Sequence, residues 1–208
     1  MTAALRGFPV AVAAMAAVVV ASNILVQYPV EASIGRLDLA DILTFGAFTY
    51  PVSFLVVDLT NRNLGPAAAR RVVLVGFAIA VVLSILLATP RIAIASGSAF
   101  LAAQFLDIAV FDRLRRQAWW KAPAISSLFG SALDTLIFFS LAFAPAFAVL
   151  GGGDAFATEW APLFGVLGAE APRWVSWALG DFAVKMLMMG LALLPYRVVA
   201  EATRPVAA

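Results

Sequence analysis

Residues 8–26 form an apolar run without one charged side chain. A helix needs about 20 mostly apolar residues to cross the hydrocarbon core of a bilayer. Inside that core a helix is one of the few folds that bonds all of its backbone. Comparable runs follow at residues 42–58, 72–88, 92–111, 122–147 and 174–194. With 63% hydrophobic residues, 12% charged residues and a mean hydropathy of +0.99, the chain lies far from water-soluble domains, in which about a quarter of residues are charged. The expectation is an all-α polytopic membrane protein: one domain over residues 1–208, built as a six-transmembrane-helix bundle. No cleavable signal peptide is expected, because the first apolar run is long and contains Asn23 and Gln27.

Basic residues set the expected orientation. Arg6, Arg62, Arg70, Arg71, Arg113, Arg115, Arg116, Lys121, Arg197 and Arg204 fall on one side of the six spans, ten of the fourteen in the chain. Arg36, Arg91 and Arg173 fall on the other, and Lys185 lies within a span. Short loops rich in Arg and Lys stay in the cytoplasm, so both termini are expected inside a bacterial inner membrane. The same arginines are better explained by topology than by a nucleic-acid surface, and no nucleic-acid partner is expected. The chain contains neither Cys nor His, which excludes disulfides, thiolate chemistry and His-ligated metals. No cofactor and no metal site is expected.

Function is sought among the polar residues inside the spans. The stretch AISSLFGSALDTLIFF, residues 124–139, is too apolar for a loop and too polar for a lipid anchor. Ser127, Ser131 and Asp134 share one helical stripe, beside small residues Ser126 and Gly130 where a neighbouring helix can approach. In the last span Asp181 and Lys185 are one turn apart, with Trp174 and Trp177 on the same side. Counting from the span ends puts Lys185 and Asp134 at similar depth near the midplane. A lysine pair with Asp134 or Asp181 that only joins two helices is one reading; ionisable groups at this depth are also functional candidates by default. Asn23 and Gln27, four apart, are either helix-packing amides or groups presented to a ligand. Asp58 with Arg62 one turn later reads as an ion pair at the inner interface. Gln104 and Asp107 lie near the inner end of the fourth span, where interface solvation accounts for Asp112 and for part of Asp107. Tyr50-Pro51 should kink or loosen the short second span. Between the last two spans, Phe156, Trp160, Phe164 and Leu167 are expected to make a short interfacial helix.

Carboxylates, amides and aromatic rings inside a bundle suit a planar polar small molecule. A guanine-like edge has adjacent N–H donors and one carbonyl acceptor, and its ring can stack on Trp, Phe or Tyr. An intramembrane enzyme is an alternative use of paired Asp residues, but no nucleophile motif or metal constellation accompanies them. A substrate-binding subunit served by a separate ATPase is a third reading, since this chain has no Walker motif.

The sequence resembles the queuosine-precursor transporters, a vitamin-uptake-transporter-like family. The resemblance lies in SNILVQYP (residues 22–29), FGAFTYPVSFLVVDLTNRNLG (45–65) with AARR (68–71), and QFLDIAVFDRLR (104–115). It continues in WWKAPAISSLFGSALDTLIFF (119–139) and LGDFAVKMLMMGLALLP (179–195). It implies a carrier importing 7-cyano- or 7-aminomethyl-7-deazaguanine, and a six-span design similar to the substrate-binding subunits of energy-coupling-factor vitamin transporters. A homodimer and an ATPase partner are both compatible with it. The expected substrate-binding residues are Asn23, Gln27, Phe45, Phe48, Tyr50, Asp58, Gln104, Asp107, Ser127, Asp134, Trp177, Asp181 and Lys185. The site is expected between spans one, two, five and six in the outer half. Asp134 and Lys185 would form its floor, and Phe45, Phe48 and Tyr50 would stack on the base.

Overall fold

A computed structural model describes residues 3–202. Arg204 and the side chain of Arg6, both part of the charge count, lie outside what is described. In chain order the elements are α1 (Ala3–Leu25), a small hairpin of β1 (Ser33–Ile34) and β2 (Leu37–Asp38), α2 (Gly46–Thr49), α3 (Val52–Leu64), α4 (Pro66–Leu87), α5 (Pro90–Leu114), α6 (Lys121–Phe143), α7 (Ala155–Thr158), an antiparallel pair β3 (Trp160–Pro162) and β4 (Glu170–Pro172), and α8 (Arg173–Ala202). Among the described residues, five helices are long and apolar enough to cross a membrane: α1, α4, α5, α6 and α8. Leu74, Val82, Ile85 and Leu86 of α4, and Leu187, Leu191, Leu194 and Val198 of α8, turn outward. Such a belt of exposed aliphatic side chains suits lipid rather than water. This is a multi-pass membrane protein.

The second expected span is not one continuous helix. It is divided into α2 and the 13-residue α3 at Tyr50-Pro51. Pro51 has no N–H to give the carbonyl one turn earlier, so the helical ladder is interrupted there. Such breaks survive at membrane depth where protein or a cavity surrounds them. The fifth span ends at Phe143, not 147, because Pro145 starts a 3₁₀ turn. The expected interfacial helix is also replaced. Only α7 is helical there, and the chain then pairs Trp160 with Pro172 and Pro162 with Glu170 across a turn at Phe164-Gly165. Arg173 binds Glu159 at 3.0 Å and lies over the Phe156 ring, tying this segment to the start of α8.

The connections are made by residues suited to them. Gly65, at φ 84°, leaves α3 in a conformation other residues rarely adopt, and Pro66 opens α4 with its fixed φ. Gly130 lets α6 approach α3 and α5. A Cβ there would lie 2.7 Å from the Phe54 ring and 3.4 Å from the Ala103 carbonyl oxygen. The core between α1, α3, α4 and α5 holds Met15, Val19, Val57, Val72, Val73, Phe100 and Ile108.

Two ends of the bundle can be distinguished. At one, Phe111, Ala122, Tyr196 and Ala200 pack with Leu59, Leu114 and Trp119. Arg62 donates to the Tyr196 hydroxyl there at 3.2 Å, and Arg197 lies over the Trp119 ring. This is the arginine-rich end. At the other, Arg91 is buried rather than solvated. It donates to the carbonyls of Leu141 at 2.8 Å and Ala144 at 2.7 Å, and also to that of Gly152. A guanidinium thus satisfies the last carbonyls of α6, where the helix dipole favours a cation.

Candidate functional site

Lys185 lies twelve residues into α8, about 18 Å along the axis at 1.5 Å per residue. That depth leaves a buried ammonium with no water to turn to, so its three N–H groups must find partners within the protein. They do. The Nζ donates to Asp134 Oδ2 at 2.6 Å, to Thr135 Oγ1 at 2.9 Å, and to Asp181 Oδ2 one turn earlier on the same helix. The Thr135 hydroxyl donates in turn to Asp181 Oδ2 at 2.8 Å. Tyr50, at the break between α2 and α3, donates to Asp134 Oδ1 at 2.8 Å, and its ring lies 5.6 Å from the ammonium. Two carboxylates and one ammonium leave the cluster one negative charge in excess. Lys185 is only 3% exposed. Of the three charged side chains Asp181 is the most open, with 17% accessible, and its Oδ1 accepts no hydrogen bond among the described residues.

Asp181 borders open space. A cavity of about 430 Å³ lies above the cluster, on the side away from the arginine-rich end. Sites for small molecules span roughly 300–1,000 Å³. Its floor is Tyr50, Asp134, Asp181 and Lys185, and its wall includes Asn23 and Gln27 of α1. Aromatic rings supply much of the rest: Phe100 of α5, Phe138, Phe139 and Phe143 of α6, and Trp177 of α8. Phe143 and Trp177 meet edge to face with centroids 5.3 Å apart. The site is therefore an aromatic chamber over a charged floor.

The expected residues separate into groups. Asn23, Gln27, Tyr50, Asp134, Trp177, Asp181 and Lys185 line the chamber. Phe45 and Phe48 do not. Phe45 is 46% exposed at the rim, and the α2 residues that turn inward are Gly46 and Ala47. Tyr50 belongs to the floor through its hydroxyl and is no free stacking platform. Asp58 and Ser127 line a second, much smaller cavity of about 20 Å³ on the other side of Lys185. Gln104 and Asp107 are wholly buried between helices, so interface solvation does not explain Asp107. Nor does Asp58 pair with Arg62: it accepts from Ser126 at 3.3 Å, while Arg62 goes to Tyr196.

Some chamber residues were missed. Phe138, Phe139 and Phe143 escaped because only polar residues of α6 were placed on stripes. Phe138 follows Asp134 by one turn, which was the available signal. The chamber also takes residues from α4 (Ala80, Ser84, Leu87) and α5 (Ile92, Ser96, Phe100), so all the long helices contribute rather than four expected spans.

Comparison with known proteins fits this geometry. The putative vitamin uptake transporter family matches residues 44–89 and 84–199. The queuosine precursor transporter of Escherichia coli (strain K12) is 34% identical over 199 residues, covering 86% of this chain and 79% of that protein. The chain belongs to the queuosine-precursor transporter family. A family member from Haemophilus influenzae, named as a probable queuosine precursor transporter, is 36% identical over 61% of this chain and 65% of its own length. Another from Bacillus subtilis, also named a probable queuosine precursor transporter, is 27% identical over 48% of this chain and 56% of its own. No solved structure matches the chain. The family is one of transporters, not of enzymes.

Proposed function

We propose that this protein imports the queuosine precursors 7-cyano-7-deazaguanine and 7-aminomethyl-7-deazaguanine across the bacterial inner membrane, with both termini in the cytoplasm. The observation that carries the reading is Asp181 at the floor of an aromatic chamber, with a carboxylate oxygen, Oδ1, that accepts no hydrogen bond among the described residues. A deazaguanine offers two adjacent N–H donors on its pyrimidine edge, and a carboxylate is the complementary acceptor. The flat ring fits against Trp177 and the Phe138, Phe139 and Phe143 wall. Asn23 and Gln27 line the α1 side; their amide nitrogens donate to the Val19 and Asn23 carbonyls at 2.9 and 3.3 Å, and their carbonyl oxygens are the groups left for a polar substituent. The names of relatives from three bacteria support the same substrate class.

In this arrangement the chamber lies on the side away from the arginine-rich end, which the charge bias makes the outer side. The Tyr50–Asp134–Lys185–Asp181 floor closes the path inward. Import then requires that floor to part, and the interrupted α2–α3 segment that supplies Tyr50 is the element suited to move. The test is uptake of each labelled deazaguanine into proteoliposomes, with guanine and adenine as competitors. The expected result is saturable uptake blocked by excess unlabelled deazaguanine and far less by adenine, which presents a different pattern of donors and acceptors. Uptake no greater than in empty liposomes would reject the substrate assignment.

A further inference from the structure

Below the floor, a second polar group lies between α3, α5 and α6. Gln104 donates to Ser53 at 2.8 Å, and Asn61 donates to the Ile108 carbonyl at 3.1 Å. These two bonds link α3 to α5 and bring Asp58 and Asp107 to one level between them. The two carboxyl groups face each other, with Ser126 beside both. Asp107 is 0% exposed and Asp58 2% exposed. Neither oxygen of Asp107 has a hydrogen-bond donor when both acids are written as carboxylates, and the buried oxygens Asn61 Oδ1 and Gln104 Oε1 are likewise unpartnered.

Among the described residues no cation answers this charge. The charged and titratable groups nearest the pair are already engaged. On α3, Arg62 turns to Tyr196; on α8, Tyr196 receives Arg62 and Lys185 holds Asp134 and Asp181. On α6 the pair meets the hydroxyls of Ser126 and Ser127, and Asp134 farther along that helix is bound to Lys185. On α5, Asp112 pairs with Arg115 at the surface. Two facing carboxylates without a cation cannot both stay ionised in such a place; one proton between them turns a repulsion into a hydrogen bond.

We propose that Asp58 and Asp107 share one proton and are the site through which a proton drives substrate transport. The inference rests on the transport reading above. Asp58 opens onto the small cavity whose other wall includes Lys185, so the pair adjoins the underside of the substrate floor. A proton from the outer side passes the closed floor to the pair by way of the small cavity that both Lys185 and Asp58 line, as substrate enters. It rests on a carboxyl oxygen of the pair while the floor is closed. When the bundle opens toward the arginine-rich end, water reaches the pair and the proton leaves to the cytoplasm, restoring two carboxylates. One base and one proton move inward together.

Two measurements test this on the full-length purified protein, wild type, D58N and D107N. Infrared spectra in lipid are expected to show the carbonyl stretch of a protonated carboxylic acid in wild type, lost or shifted in both variants and unchanged in D154N. An unchanged band in D58N and D107N, or no such band in wild type, overturns the shared proton. In proteoliposomes, an acid exterior is expected to drive accumulation of labelled 7-cyano-7-deazaguanine by wild type only, while both Asn variants still exchange labelled for unlabelled base. Accumulation indifferent to the pH gradient, or driven by a sodium gradient in its place, overturns the coupling role. So do variants that accumulate as well as wild type. If wild type exchanges no base at all, the substrate reading fails, and the infrared result still decides the proton.

Discussion

Lys185→Met removes the one cation from a site that also holds two carboxylates and keeps most of the side-chain volume. The three donor bonds of Nζ disappear, and Asp134 and Asp181 are left facing each other with only Tyr50 and Thr135 as donors. Removing one partner of a buried ion pair costs about 3–5 kcal/mol, because the other charge stays buried without compensation. For a chain of this size, 1 kcal/mol moves Tm by roughly 2–4 °C, so the expected loss is roughly 6–20 °C. Fluorescence-monitored melting of purified protein in detergent measures it. The Arg197–Glu201 pair is the control. It is also close, at 2.9 Å, but its side chains are 55% and 52% exposed. Exposed pairs contribute about 0–1 kcal/mol, so Arg197→Ala should shift Tm by no more than roughly 4 °C. Adding Asp134→Asn to Lys185→Met brings the cluster back from two negative charges to the one it carries in wild type and should recover part of the loss. The reasoning is refuted if Lys185→Met melts with the Arg197→Ala control, or if the double variant is less stable by the sum of its parts.

Other expectations follow from single contacts. Arg91→Lys keeps the charge but cannot reach the Leu141, Ala144 and Gly152 carbonyls together; a loss of about 2 kcal/mol or more is expected, from hydrogen bonds to a charged group that are each about 1.5–3 kcal/mol, and chemical denaturation reads it. Gly130→Val places atoms against Phe54 and α5, and should destabilise by about 1–3 kcal/mol through overpacking, visible as a lower Tm. Tyr50→Phe deletes the 2.8 Å bond to Asp134, worth about 1–3 kcal/mol if the carboxylate is left unsatisfied. Its distinctive readout is transport, since a loosened floor should change the turnover rate more than the affinity for substrate.

The polar stripe of α6 was legible because a helix repeats. Ser127, Ser131 and Asp134 fall on one buried face, as their spacing requires, with Ser126 and Gly130 beside them. The link from Asp134 to Lys185 and Asp181 was legible too, since a lone lysine in hydrocarbon has few stable arrangements. Asp58 and Asp107 were misread because distance from the nearest arginine served as a measure of depth. Their burial comes instead from contacts between α3, α5 and α6, which no single helical period reveals. In residues 155–172 the aromatic spacing imitates a helical stripe, but Pro162, Gly165 and Pro172 set a hairpin instead of an interfacial helix. The Tyr50-Pro51 break was visible in the sequence, but which side chains it would turn inward depended on α2 packing through Gly46 against Val26.

The central claim is that Asp181 and its neighbours read the hydrogen-bonding edge of a deazaguanine. Equilibrium binding of labelled 7-cyano-7-deazaguanine to purified wild type, D181N and D154N tests it most directly. Asp181→Asn keeps the size and offers an N–H where the base also presents N–H groups. A mismatch of that kind costs about 1–3 kcal/mol, roughly a fivefold to 150-fold loss of affinity. D154N, altered at an exposed side chain that caps α7, should bind as wild type. The account holds if D181N alone loses affinity while melting within a few degrees of wild type. It is contradicted if D181N, folded normally, binds the base with wild-type affinity.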